Sequence, residues 1–413
     1  MATFSKLLKM FIVLNMMICI QHLVVSGRRI STEEEEDIEI QEQLKILNKP
    51  PIKTVKMSDG EIVDCIDENK QPAFDHPMLK NHKIRSTPSS PPNDANRGAS
   101  SSSSPKMVNL RRVKCPKGTV PIRRTSKEDL IRAKSFMESF EPIRPIIINP
   151  DEEVVEPPGR HVAAYHNRPQ TDPQVHEQFY GIKGKITVEN LSLGLNQSSA
   201  SQLWIESGPK DDLSAIQAGL LVSPTLFGDN KTHVFGYWWG SNNGCLNIRC
   251  TGTGFVQTHQ DYYLGEAIEP ASQYDGEQHY FGAYIHQDGG TGDWWFTMYG
   301  DINVDFGYWP REVVPYLGTG ATTISWGGLV QNTPHEISPP MGNGHFPDGD
   351  FKKVAAIYDM HFMDEDHNLT TPHVWMDFGI REDRENCYRL TRNDFDNDHG
   401  FSVSFGGPGG SCE

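Results

Sequence analysis

Beyond Arg160 the sequence becomes a succession of short β-prone runs separated by Gly, Asn and Asp, and helix-period segments nearly disappear. Several short strands at regular spacing with turn residues between them are the signature of a sandwich or barrel. The runs stand at Lys185–Leu193, Gln202–Glu206, His233–Trp239, His279–His286, Asp293–Met298, Thr322–Trp326, Val354–Phe362 and Phe401–Phe405. The two runs flanking Asp288-Gly289-Gly290 read as a hairpin. Residues 160–413 are therefore expected to be all-β, an antiparallel β-sandwich of two sheets.

A chain of 413 residues has room for more than this one unit. At its start Lys6 and Lys9 precede an apolar run from Met10 to Val25, broken by Asn15, Gln21 and His22 and closed by Ser26 and Gly27. That order is expected of a signal peptide over residues 1–27, too short and too interrupted to span a bilayer. Removing Cys19 with it leaves Cys65, Cys115, Cys245, Cys250, Cys387 and Cys412, an even number in an oxidising compartment. Six cysteines allow fifteen connectivities. The spacings favour the local pairs Cys65–Cys115, Cys245–Cys250 and Cys387–Cys412. Asn190, Asn196, Asn230 and Asn368 open N-x-Ser/Thr sequons, which make them glycosylation candidates in a secreted chain. The formal charge of −16 argues against nucleic acid and anionic membrane as partners, since both call for a basic footprint.

Residues 28–140 read as a smaller mixed α+β region. Ser31 and Thr32 precede Ile38, Ile40, Leu44 and Leu47, a helical spacing that stops at Pro50-Pro51. An extended stretch follows over Glu61–Asp67. Residues 85–106 are rich in Ser, Pro, Asn and Gly and hold an unbroken serine run, so they are expected to form a disordered insertion. Thr125 and Glu128 have capping-box spacing ahead of Leu130, Ile131, Phe136 and Met137. Residues 141–159 combine five prolines with acidic residues and read as an exposed linker suited to proteolytic cleavage.

Two stretches of the N-terminal region, Gly60-Glu-Ile-Val-Asp-Cys-Ile-Asp67 with Lys70-Gln-Pro-Ala-Phe-Asp-His-Pro77, and Cys115-Pro-Lys-Gly-Thr-Val-Pro-Ile-Arg-Arg124, resemble the activation peptide of plant neprosin-like proteins. The C-terminal half carries companion motifs. Among them are Ser201-Gln-Leu-Trp204, Leu226-Phe-Gly-Asp229, Gly254-Phe-Val-Gln257, Gly307-Tyr-Trp-Pro310, Trp326-Gly-Gly328, Met341-Gly-x-Gly-His-Phe346 and Gly406-Gly-Pro-Gly409. The resemblance implies a secreted glutamic endopeptidase, made as a zymogen, that cleaves after proline in acid and whose β-sandwich carries a substrate cleft. It implies two glutamates across that cleft, one the general base and the other polarising the scissile carbonyl, with no metal or other cofactor.

At the positions that match those glutamates the chain departs from the pattern. It reads Gln217-Ala218-Gly219-Leu220 and Ile324-Ser325-Trp326-Gly327-Gly328. Gln217 keeps a hydrogen-bonding amide but holds no exchangeable carboxyl proton, and Ser325 is too weak an acid to serve as a base. Loss of a general base costs about 10²–10⁴ in rate, so the expectation is a pseudoenzyme. Glu206, Glu266 and Glu269 are the carboxylates that could substitute. A Ser325 nucleophile finds no Gly-x-Ser-x-Gly elbow, and the sequence names no histidine partner for it.

Trp204, Trp238, Trp239, Trp295 and Trp326 are candidates to line a cleft for proline rings or sugars, with one member of each Trp pair expected in the core. Asp394-Phe-Asp396-Asn-Asp398-His-Gly400 has its glycine one place late and Phe405 where a calcium loop requires Glu, so it reads as a solvated acidic loop and no metal is expected. The expected partners are proline-rich peptides or cell-wall glycoproteins, the expected state a monomer. The expected location is extracellular, in the apoplast or cell wall, or vacuolar. An acidic post-proline endopeptidase with a relocated carboxylate and an extracellular glycan-binding module are the alternatives.

Overall fold

The computed structural model describes residues 32–89, 105–139, 156–168, 177–209, 212–250, 252–372 and 377–412. The expected signal peptide, residues 90–104 of the Ser/Pro-rich stretch and residues 141–155 of the expected linker lie outside the described residues. Contacts divide the chain after Lys45. The described part of the first unit is most of one helix, α1 (Thr32–Leu47). Residues 46–413 form the second unit.

In that unit a small antiparallel sheet is built from β1 (Lys53–Lys56), β2 (Ile62–Asp67) and, beyond β3 (Lys106–Met107), β4 (Thr119–Arg123). Helix α2 (Lys127–Ser139) follows. Its cap sits one residue later than the sequence spacing placed it. Ser126 Oγ accepts from Asp129 N at 3.1 Å and Ser126 N donates to Asp129 Oδ2 at 2.9 Å. Asp129 wins over Glu128 because its buried carboxylate also holds Arg132 at 2.7 Å and Arg123 at 3.1 Å.

The remaining strands run β5 (Arg160–Asn167), β6 (Gly181–Thr187), β7 (Ser198–Ser207), β8 (Ser214–Val222), a short helix α3 (Pro224–Phe227), β9 (His233–Gly240), β10 (Asn243–Leu246) and β11 (Val256–Gln257). They continue as β12 (His279–Gln287), β13 (Trp294–Met298), β14 (Val304–Trp309), β15 (Thr323–Gln331), β16 (Ala355–Met363), β17 (Leu369–Thr370), β18 (Phe378–Glu382), β19 (Arg389–Asp396) and β20 (Gly400–Gly406). One sheet has the order β10-β9-β8-β7-β15-β5-β18, and the second β11-β14-β13-β12-β6-β16-β20-β19, with β17 on β16 and β3 on β12. The chain is thus a β-sandwich of two large antiparallel sheets, and β12 and β13 form the hairpin around residues 288–290.

Strand alternation sorts the seven-stranded sheet into two faces. Ala163, Tyr165, Leu203, Ile205, Ile216, Ala218, Val234, Trp238, Ile324 and Trp326 enter the core between the sheets. On the outer face Val162, Ala164, Ala200, Trp204, Leu221, Phe235, Tyr237, Leu246 and Leu329 form a second cluster, closed by Ala133 and Phe136 of α2 and by Leu226 and Phe227 of α3. Close strand approach explains the Gly-rich motifs. A Cβ on Gly328 would lie 2.6 Å from Met341 Sδ, and one on Gly219 would collide with the Ser201 carbonyl.

The N-terminal part of the unit is packed into the sandwich. Ile66, Ala73, Leu79, Val108, Leu110, Val120 and Ile122 belong to the same hydrophobic core as the inter-sheet residues. Gln71 and Gln257 exchange buried hydrogen bonds, Gln71 Nε2 to Gln257 O at 3.0 Å and Gln257 N to Gln71 Oε1 at 2.8 Å. The first residues of the expected disordered insertion are also engaged: Arg85 Nε pairs with Asp293 at 2.7 Å and Ser89 donates to Asp288. A buried aspartate that needs a cation draws residues 85–89 onto the sheet. The structure joins Cys65 to Cys115, Cys245 to Cys250 and Cys387 to Cys412. Among the described residues no helix is long and apolar enough to cross a membrane.

Candidate functional site

The register of the seven-stranded sheet lines up one row of residues from edge to edge. Gly379 on β18 stands opposite His166 on β5, and His166 opposite Ser325 on β15. Ser325 stands opposite Trp204 on β7, Trp204 opposite Gln217 on β8, and Gln217 opposite Tyr237 on β9. Directly opposed residues in a ladder point to the same side. Trp204 and Tyr237 belong to the outer-face cluster, so the whole row occupies that face. Gln217 and Ser325, the two positions matched to the glutamates, are thereby brought together on either side of Trp204.

The row is buried and rich in unused hydrogen-bonding capacity. Gln217, Ser325 and Trp204 are each at most 1 % exposed. Among the described residues neither amide atom of Gln217, nor Ser325 Oγ, nor Trp204 Nε1 has a hydrogen-bond partner. A buried polar group left unpaired costs about 1–3 kcal/mol. A water or a ligand atom placed over the row would complete these hydrogen bonds. The apolar cover is supplied by α2, whose Ala133 and Phe136 share the cluster with Trp204.

His166 is the residue that sequence reasoning missed. It lies far from Ser325 in the chain, and only the β5/β15 register makes them neighbours. Its Nδ1 lies 2.7 Å from the Asn167 carbonyl oxygen. Asn167 is in turn fixed to the chain ahead of Ser325, donating from Nδ2 to Thr322 O at 3.0 Å and accepting from Ile324 N at 2.8 Å. Burial drives the imidazole pKa down to about 4; the Asn167 bond opposes that shift, and the nearby Arg381 and Arg168 guanidiniums reinforce it.

Of the three carboxylates that could substitute, one reaches this face. Glu206 lies two residues from Trp204 on β7, opposite Thr323 and Ala215, and is buried beside the row. Glu266 instead accepts from the backbone and guanidinium of Arg111 in the N-terminal part, where burial raises its pKa to about 8 against the pull of Arg111. Glu269 is exposed and pairs with Lys231 at 3.6 Å.

The tryptophan expectations need correction. Trp204 is on the face, and Trp239 packs half-buried against the same cluster. Trp238 and Trp326 point into the inter-sheet core, where their indole N–H groups donate to Thr253 O at 2.6 Å and Lys183 O at 3.0 Å. Trp295 belongs to the other sheet and packs on Tyr308 at 4.7 Å, whose hydroxyl meets His82 and the Arg85 N–H of the N-terminal part. Alternation splits Trp238 from Trp239, because neighbouring residues on a strand face opposite sides, whereas Trp294 and Trp295 are both fully buried and neither is available. All four sequon asparagines are exposed. No group of three or more His, Cys, Asp or Glu is arranged to hold a metal ion among the described residues.

The last turns of the expected linker are tied to the sheet. Glu156 pairs with Arg160 at 3.0 Å and with Arg381, all three side chains being nearly buried. Electrostatic attraction links Arg160 further to Glu206 and Asp383.

Two solved structures match over 60 % of this chain and 97 % of their own. They are Scytalido-glutamic peptidase with a peptide-based transition state analog, at 11 % identity and a TM-score of 0.30, and SCP-B, a member of the Eqolisin family of peptidases, in complex with the tripeptide Ala-Ile-His, at 9 % and 0.28. A family model described as the neprosin activation peptide matches residues 54–165, and the model described as Neprosin matches residues 195–408, more than half of the sequence. The chain belongs to the neprosin family.

Proposed function

We propose that this protein is a secreted neprosin-family member that has lost glutamic-peptidase chemistry and uses the outer face of its seven-stranded sheet to bind extended, proline-containing peptides. The observation that carries the reading is the row itself. Gln217 and Ser325 flank Trp204 in register, and neither can supply or store a carboxyl proton. An indole between an amide and a hydroxyl suits a proline-rich strand, since the ring stacks on pyrrolidine while the polar groups meet peptide carbonyls. The extracellular or vacuolar location, the cell-wall glycoprotein as natural ligand and glycans on Asn190, Asn196, Asn230 and Asn368 belong to the same proposal.

Titration of the protein with proline-rich, proline-free and glycan ligands tests it. Preference for the proline-rich peptide, weakened about tenfold or more by Trp204→Ala, supports the reading; equal binding of the proline-free peptide overturns it. One observation favours a second reading, an acidic endopeptidase: Glu206 is a buried carboxylate on the same face, diagonal to both substituted positions. Under that reading acid cleavage of a proline-containing peptide occurs in wild type and vanishes in Glu206→Gln.

A further inference from the structure

We propose that Ser325 and His166 form a nucleophile and base pair that accepts an acyl group from an activated ester, with Gln217 and Trp204 donating to the oxyanion. The proposal rests on the outer face being the ligand site and adds chemistry that the glutamic dyad would not perform.

Four observations converge. Ser325 and His166 are directly opposed on neighbouring strands, which places their Cβ atoms about 4.5–5.5 Å apart. Ser325 Oγ makes no hydrogen bond in this rotamer, so the step requires the hydroxyl to turn about χ1 toward the imidazole. The Nδ1 contact with the Asn167 carbonyl fixes the tautomer, because a carbonyl accepts only from N–H; Nε2 then carries the lone pair. The bonds from Asn167 to Thr322 and Ile324 hold this unit against the strand that bears Ser325. On the other side of Ser325, Trp204 Nε1–H and the Gln217 amide are buried donors with no partner among the described residues. Donors facing the nucleophile in this way could hold a developing oxyanion.

The step balances as an acyl transfer. Ser325 Oγ attacks the ester carbonyl carbon while its proton passes to His166 Nε2, and the carbonyl oxygen becomes an oxyanion held by Gln217 Nε2–H and Trp204 Nε1–H. Collapse breaks the bond to the leaving alkoxide, which takes the proton from His166, and leaves an acylated Ser325. Water then attacks the acyl carbon with its proton going to His166, releasing the carboxylic acid and restoring the serine. Burial makes His166 a weak base, so the pair suits aryl or similarly activated esters and leaves unactivated amides uncut.

His166 faces Ser325 from β15, Gly379 and Arg381 from β18, and Arg168 in the segment after its own strand. Arg168 pairs with Asp377 at 3.7 Å and lies against Gly379. Glu206 on β7 is a carboxylate on this face next to the row, and Glu156 pairs with Arg381 and Arg160 there. Burial, with a smaller push from the two cations, keeps the imidazole neutral down to about pH 4. Reaction therefore persists at neutral pH and falls as pH drops through that value, opposite to a carboxyl dyad that works in acid.

The test is to incubate the full chain at neutral pH with a fluorophosphonate probe and an aryl acetate, then locate the adduct by peptide mass mapping. A second serine with a histidine, Ser338 with His161 at 3.1 Å and Asp383 behind it at 2.7 Å, serves as the internal control. Its backbone is locked to Gly410 by two hydrogen bonds, at 2.9 and 3.0 Å, and its hydroxyl is already engaged by His161. The expected result is one adduct on Ser325, absent in Ser325→Ala, slowed about 10²–10⁴-fold in His166→Asn and unchanged in Ser338→Ala. Phe136→Ser, which thins the α2 cover, should speed it. Absence of a Ser325 adduct in both wild type and Phe136→Ser, or labelling of His166→Asn at the wild-type rate, overturns the proposal. Peptide titration of wild type reads the other claim separately: binding without labelling sinks this inference alone, and labelling without binding sinks the peptide reading alone.

Discussion

At the scale of single residues the functional argument turns on what stands beside what. Gln217 and Ser325 were singled out from motif position, by the Ala-Gly and Trp-Gly-Gly residues beside them, and strand register brings them into one row. His166 was not legible, since pairing across β5 and β15 is set by register and leaves no trace in local sequence. Glu266 illustrates the same point through titration. Its folded pKa of about 8 lies above its ordinary value, so the stability that it contributes is complete in acid and is lost as pH rises through 8. Melting curves between pH 4.5 and 8.5 should show a Tm decline with rising pH that is shallower in Glu266→Gln; identical slopes would remove Glu266 as the cause. The contact between Arg111 and Glu266 thus does not loosen on acidification.

Among the elements, the strands that matter most for the site were the hardest to see. β8 reads Ser-Ala-Ile-Gln-Ala-Gly-Leu-Leu-Val and is buried along its length, on one side by the second sheet and on the other by α2 and α3. Alternation marks a strand only when one face meets water, and β5 fails the test for the same reason. The expected strands at His233–Trp239 and His279–His286 match β9 and β12 within a residue. Helix α2 depends on Asp129. Burial alone would raise that carboxyl, but Arg123, the Ser126 N–H and Arg249 outweigh it and bring the pKa to about 2. With a folded pKa below the ordinary value, its contribution is present above about pH 4 and fades as pH falls through 2. Asp129→Asn should cost about 3–5 kcal/mol at neutral pH, the range for breaking a buried ion pair. A denaturant titration giving a loss below 1 kcal/mol would contradict this account of the cap.

For the whole molecule, the notable feature is how deeply residues 46–139 enter the sandwich. Their apolar side chains complete the inter-sheet core, β3 extends the second sheet beside β12, and Tyr263 donates to Glu61 at 2.7 Å across the boundary. A segment that shares a core does not leave when a linker is cut, because its departure would expose Val108, Leu110, Val120 and Ile122 to water at about 25 cal/mol per Å². Limited proteolysis within residues 140–155 at neutral pH should therefore give two chains that co-elute in gel filtration. Elution of residues 156–413 alone would show that the core contact is weaker than its burial implies.

The central claim, that the family's acid chemistry has been lost at Gln217 and Ser325, is tested most directly by acidifying the purified precursor. The protein is shifted from neutral pH to about pH 3–5, where carboxyl dyads are poised, and its intact mass is followed beside a proline-containing reporter peptide. The Gln217→Glu, Ser325→Glu double variant is treated identically. The account predicts that wild type keeps its mass and leaves the reporter whole while the double variant processes itself and cuts after proline. Self-processing by wild type at a comparable rate would contradict the claim and turn attention to Glu206.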